Sequence, residues 1–238
     1  LQMHGAESGE EVAYAERTRG ATTVRHLDRL GVLGPGFLAA HAVFVDQHEI
    51  ELLAGSGSSV AHNPVSNLRV CGIPPIAEMV DAGVNVAIGT DSAGVNNRVS
   101  VIDEMWVATM LQKGSRRDPT VLPARQTLAM GTCDGAQGVV WEDEIGSLTA
   151  GAKADLVLVE TDALNMLPLI EPVSGLVNSM APANVVSVMC DGKWVLRDRR
   201  LTNIDEPSLR AEIADRTPQV LARAGIDLDD RVDLSVVS

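Results

Sequence analysis

Four short signals in the 238-residue chain carry side chains from which hydrolytic sites are made: His4 with Glu7, His41, His62 with Asn63, and Asp91. In His4-Gly5-Ala6-Glu7 an imidazole is followed three residues later by a carboxylate. Imidazole and carboxylate suit zinc and similar divalent ions, and a carboxylic acid beside them can move protons. Asp91, ahead of Ser92-Ala93-Gly94, could ligate a metal or act as a base; its plainer reading is an Asx turn or helix cap. A single histidine behind an apolar run is more often a satisfied core residue than a ligand. His26 and His48, in helix-like segments without a motif, are read as ordinary surface residues.

What changes the weighing is the phase of the four signals. Phe37 to Val45 is a short, nearly continuous apolar run, as expected of a strand buried on both faces. Asp46 with Glu49 forms a capping-box pattern opening a helix that Gly55 and Gly57 end. Ser58–His62 reads as a weaker strand, Pro74-Pro75 opens a helix through Val80, and Val84–Asp91 is the clearest strand. Ser100 and Asp103 cap a longer helix through about Lys113. With the opening Leu1-Gln2-Met3-His4, read as a buried strand, the pattern is four βα units and predicts parallel strands over residues 1–113. The four signals sit at the C-terminal ends of those strands, where loops build active sites in parallel α/β folds. Core histidines have no reason to fall in phase with that repeat.

From about residue 136 the pattern changes. Glu144–Leu148 and Ala154–Val159 read as short strands punctuated by turns, and Val185–Cys190, Asp191-Gly192 and Lys193–Leu196 as a hairpin. Residues 207–224 read as a helix interrupted at Pro218, followed by an acidic tail.

Composition narrows the function further. A formal charge of −13 argues against nucleic acid or an anionic membrane, and six aromatics are too few for base-stacking platforms. No apolar run approaches the ~20 residues that span a bilayer. Cys71, Cys133 and Cys190 lie far apart, which excludes a disulfide framework and fits a reducing cytoplasm.

The segments His4-x-x-Glu7, Ala40-His41, His62-Asn63-Pro64-Val65-Ser66-Asn67-Leu68 and Gly89-Thr90-Asp91-Ser92-Ala93 together resemble the amidohydrolase superfamily. The branch they resemble contains methylthioadenosine/S-adenosylhomocysteine deaminases, triazine chlorohydrolases and guanine deaminases. Gly146-Ser147-Leu148, Gly151 and Ala154–Leu158 resemble the small β-sandwich beside the barrel of that family. The resemblance implies an α/β chain comprising strands 5–8 of a (β/α)8 TIM barrel plus part of the sandwich. Its expected divisions are 1–136, 137–200 and a C-terminal helix and tail at 201–238. It implies that His4 and Asp91 bind one divalent metal, zinc or alternatively ferrous iron. Glu7 then protonates the substrate ring nitrogen, His41 orients the hydroxide, and Asp91 takes the water proton. His62 and Asn67 fall in the seventh-strand loop, with a role divided between structure and substrate contact.

Two departures stand out. No His-x-His pair, the family's first-strand ligand motif, occurs in the chain, and Val95 stands where adenosine-type relatives often carry a small hydroxyl residue. The chain opens on Leu1, and is expected to be the C-terminal part of a longer cytoplasmic protein, homo-oligomeric when full length. The expected activity is hydrolytic deamination of a small N-heterocyclic amine of purine type. Rival readings are displacement of chloride or cyclic-amide cleavage at the same site, and a non-catalytic relic or binding module.

Overall fold

The computed structural model describes residues 1–226; the expected acidic tail lies outside the described residues. Four short strands, β1 (Gln2–Gly5), β2 (Leu38–His41), β3 (Ser59–His62) and β4 (Asn85–Ile88), form one sheet in sequential order. All neighbours are parallel, with His4 opposite Ala40, Ala40 opposite Ala61, and Ala61 opposite Ala87. Parallel neighbours require crossover connections, and helices supply them: α1 (Gly9–Arg19) and α2 (Thr23–Arg29), then α3 (Gln47–Ser56), then α4 (Pro64–Val70) and α5 (Ile76–Asp81). The expected βα repeat is therefore present. Because β1 is an edge strand, it is less buried than its apolar residues suggest: Leu1 is 75% and Met3 37% exposed.

Alternation along the strands sorts the two faces of the sheet. Ala39, Val60 and Val86 point into the helix layer and pack with Phe37, Ile50, Leu53, Ile76 and Met79. Each of these larger side chains, fully buried, is worth roughly 1.5–3 kcal/mol relative to exposure. Leu38, Ala40, Ala61 and Ala87 face the other way and line a cavity of about 530 Å³. The capping box at α3 forms as read: Asp46 Oδ1 accepts from the Glu49 N–H at 3.0 Å, and Glu49 Oε2 from the Asp46 N–H at 3.1 Å. Gly57 ends the helix in the left-handed region, with φ 73°.

Beyond β4 come α6 (Val101–Arg116), α7 (Ala124–Met130) and α8 (Cys133–Gly138). A second, antiparallel sheet follows: β5 (Leu156–Val159), β6 (Val185–Cys190), β7 (Lys193–Arg197) and β8 (Arg200–Leu201). Between β5 and β6 lies α9 (Pro172–Asn178), and α10 (Glu206–Arg223) follows β8. The hairpin turn carries φ 47° at Asp191 and 76° at Gly192, the positive pair that a two-residue type I′ turn demands.

Two expectations are corrected. Glu144–Leu148 is not a strand. It is a largely exposed turn in which the Lys153 N–H donates to the Glu144 carbonyl at 2.8 Å, and Gly146, at φ 89°, sits too close to Ala136 for a side chain. Pro218 does not interrupt α10, which runs through it. A proline forfeits one intrahelical bond, and on a helix with no buried residue the freed carbonyl can turn to water.

Candidate active site at the strand ends

His4 is the last side chain of β1, since Gly5 closes the strand, and Glu7 follows in the loop. That loop is held by Glu11 on the first turn of α1. Its carboxylate accepts from the Ala6 N–H (3.0 Å), the Glu7 N–H (2.8 Å) and the Thr23 hydroxyl (2.7 Å). His41 closes β2 at φ 77°, which breaks the alternation so that its ring lines the cavity together with Ala40. Asp91, beyond β4, has φ 61°, and Ala6 and Ala42 are also left-handed, at 52° and 47°. Non-glycine residues in that region are strained and tend to cluster at functional sites.

These side chains converge. The His4 and His41 rings stack with centroids 5.3 Å apart. His4, Glu7 and His41 each offer a ligand-type atom within 4.8 Å of the others. His41 Nε2 lies 3.7 Å from Glu7 Oε1 and 4.0 Å from Asp91 Oδ2. Behind the ring, the Asn63 amide faces His41 Nδ1 at 3.5 Å. With that amide donating to Nδ1, the neutral ring carries its proton on Nε2, directed at the two carboxylates; the tautomer follows from the hydrogen-bond network.

Asp91 is anchored on both oxygens: the Ser66 hydroxyl donates to Oδ2 at 2.5 Å and the Ser92 N–H to Oδ1 at 2.6 Å. Burial works to raise its carboxyl. The Ser66 and Ser92 donors and the His41 and His4 imidazoles outweigh it and hold the group below the ordinary 3.8. The Cys71 thiol donates to Glu7 Oε1 at 3.6 Å, and burial, reinforced by the Glu7 carboxylate, pushes it up to about 11.

His62 and Asn67 stand apart from this group. The strand pleat sends His62 to the same face as Val60, so it enters the helix layer, and both residues are completely buried and do not line the cavity. Substrate contact expected of these two finds no support in their placement. Burial, followed by the charge of His41, brings His62 down to about 3. Neither of its ring nitrogens meets a hydrogen-bonding partner among the described residues.

Three contributors went unselected in the sequence: Ser66, Cys71 and Glu104; Asn63 stood out beside His62 but was given no role. Asn63 and Ser66 lie within the quoted His-Asn-Pro-x-Ser-Asn stretch. Glu104 had a legible signal, a charge on the buried face of α6 in line with Ala108 and Gln112.

The donor chemistry fits a divalent ion such as zinc, because imidazole and carboxylate atoms crowd one side of the cavity. Fewer histidines are present than zinc sites usually recruit, in keeping with the missing His-x-His.

The sequence profile of the amidohydrolase family matches residues 1–195. The chain belongs to the amidohydrolase family. A 5-methylthioadenosine/S-adenosylhomocysteine deaminase of Moorella thermoacetica is 40% identical over 217 residues, 91% of this chain and 51% of the relative. A 5'-deoxyadenosine deaminase of Methanothermobacter thermautotrophicus is 39% identical over 207 residues, 87% of this chain and 48% of the relative. An adenosine deaminase from Xanthomonas campestris, solved with bound zinc, superposes with a TM-score of 0.90 at 34% identity. That superposition covers 93% of this chain and 51% of the other. The chain thus spans about half the length of the amidohydrolases it matches. Among the described residues no helix is long and apolar enough to cross a membrane.

Proposed function

We propose that the chain supplies the C-terminal half of a metal-dependent aminohydrolase that deaminates a purine-like N-heterocyclic amine. In this reading β1 to β4 are strands 5–8 of an eight-stranded barrel. The barrel portion is 1–136, the small β unit 137–200, and α10 belongs to a separate C-terminal segment. Support for the half-barrel comes from the matched share of the relatives and from the parallel sheet with two open edges.

His4 and Asp91 are the residues that would hold the ion, zinc first and ferrous iron second. A bound divalent ion brings the pKa of a coordinated water toward ~7, so that a nucleophile forms at neutral pH. Asp91, already held as a carboxylate by Ser66 and Ser92, accepts the proton of the attacking water. His41 directs its Nε2–H at that water and keeps it between the two carboxylates. Glu7, on the same Nε2 side of His41 as Asp91, protonates the heterocycle nitrogen. Asp91 passes the proton it took from water to the exocyclic amine, which leaves as ammonia, and the hydroxyl proton of the intermediate returns to Glu7 as the carbonyl forms. His62 and Asn67 act from inside the fold, as supports of the loop after β3. The observation that carries the proposal is the convergence of His4, His41 and Asp91 on one cavity, with the Glu7 carboxylate beside His41.

Ammonia release from 5'-deoxyadenosine, methylthioadenosine and S-adenosylhomocysteine by the zinc-loaded full-length protein tests it. Turnover of at least one of them is expected. Chloride release from a chlorinated heterocycle without any ammonia from the nucleosides would replace deamination by the displacement reading.

A further inference from the structure

Glu104 is a charged side chain at 1% exposure, on α6 and outside the cavity. Its two oxygens take two separate donors. Oε2 accepts from the Val65 N–H at 3.0 Å, and Oε1 from the Asn96 side-chain amide at 2.5 Å. The same Asn96 amide donates to the Thr90 carbonyl at 2.8 Å, while Asn96 Oδ1 accepts from the Arg98 N–H at 3.1 Å. Val65 immediately precedes Ser66, and Thr90 immediately precedes Asp91. Glu104 therefore grips, directly and through Asn96, the residue before each partner of the 2.5 Å Ser66–Asp91 hydrogen bond.

We propose that Glu104 is a positioning residue that ties the loop after β3 to the loop after β4 and so fixes Ser66 against Asp91. The inference rests on the role given to Asp91 above. A carboxylate suits the task because both of its oxygens accept, whereas a glutamine presents one acceptor and one donor and must turn its NH2 on either Val65 or Asn96. The strained φ of 61° at Asp91 needs such support, because strained residues persist only where the surroundings over-determine them. Groups that orient a metal-binding carboxylate typically change metal affinity or activity 10- to 100-fold when removed.

The test is Glu104→Gln, close to isosteric, beside Ser66→Ala and the double variant, in the full-length protein. Amide hydrogen exchange on the metal-free protein reads the tie itself. Protection should fall about tenfold at Val65 and also at Asn96, whose N–H is bonded to the Ser92 carbonyl at 2.8 Å in the turn after Asp91. Core amides such as Val60 should be unaffected. Faster exchange at Val65 alone would mean that the tie does not reach Asp91 and would overturn the proposal. Zinc affinity, by chelator competition, should weaken about tenfold in each single variant and no further in the double; kcat should drop with KM unchanged. Multiplying effects in the double variant, or a lower Tm with zinc affinity and kcat intact, would also overturn it. A wild-type protein that turns over no aminopurine would remove the deaminase reading, and the exchange measurement would still decide the tie.

Discussion

The rings of His4 and His41 stack across neighbouring strands, 14° from parallel, and so place the proposed metal ligand beside the proposed water-orienting group. The two rings are neighbours, yet their assigned tasks differ. His4→Ala should remove zinc and turnover together. His41→Ala should retain most of the zinc while slowing turnover. Metal analysis beside ammonia kinetics checks this, and equal metal loss in both variants would move His41 into the ligand set.

Glu7 and Asp91 flank His41 at 3.7 and 4.0 Å, and the same logic separates them. Glu7 is assigned to proton transfer, which typically contributes ~10²–10⁴-fold. Glu7→Gln should therefore lower kcat by about that range with zinc retained. Asp91→Asn removes a base and a ligand at once, so zinc content and rate should fall together. A Glu7→Gln protein of near wild-type rate would take Glu7 out of the mechanism.

The Cys71 thiol offers a view of Glu7 that needs no substrate. Held up at about 11, it is ionised to roughly one part in a thousand at pH 8. Exposed Cys133 and Cys190 should alkylate first. Glu7→Gln takes away the carboxylate that disfavours the thiolate, so alkylation of Cys71, read by peptide mass spectrometry, should speed up several-fold. An unchanged rate would place Glu7 away from Cys71 in solution.

His62 predicts an acid sensitivity. Its folded value of about 3 lies below the ordinary 6.5, so between those pH values the unfolded chain binds more protons than the folded one. Stability attached to this residue is complete above about pH 6.5 and is lost as pH falls toward 3. At 1.36 kcal/mol per pKa unit, the loss between pH 7 and pH 4 is on the order of 3 kcal/mol. His62→Gln should be less stable at pH 7 but should lose markedly less over that interval. Urea unfolding at both pH values checks the slope, and parallel losses in the two proteins would contradict the assignment.

How far such features could be read beforehand differs from residue to residue. The Asp46–Glu49 cap, the Asp191-Gly192 hairpin and the phase of His4, His41 and Asp91 depend on local sequence rules, and each appears where those rules put it. The orientation of His62 depends on which face of a four-residue strand meets the helices, and Ser59-Val60-Ala61-His62 carries too little contrast to say. Glu104 was harder still, because its partners Val65 and Asn96 lie 39 and 8 residues away and only the fold brings them together. Pro218 was misread for the opposite reason. A local rule applied to an isolated exposed helix ignored that water can replace the lost bond.

Gly89 and Asn63 supply the last prediction. A β-carbon on Gly89 would lie 2.4 Å from Asn63 Oδ1, so only glycine lets the Asn63 amide sit where it faces His41 Nδ1. Gly89→Ala must push the amide away or strain the backbone, and overpacking of this kind typically costs ~1–3 kcal/mol. Asn63→Ala removes the obstruction and the donor together. The double variant should therefore be more stable than Gly89→Ala alone, with a coupling of about 1 kcal/mol or more, well above the ~0.3–0.5 kcal/mol scatter of independent sites. Activity should behave otherwise: Asn63→Ala and the double variant both lack the amide behind His41, so the double should stay as slow as Asn63→Ala. Urea unfolding and ammonia kinetics on the same four proteins measure both. Additive stabilities would show that the amide has room to move aside, and a double variant with restored rate would free His41 from any dependence on Asn63.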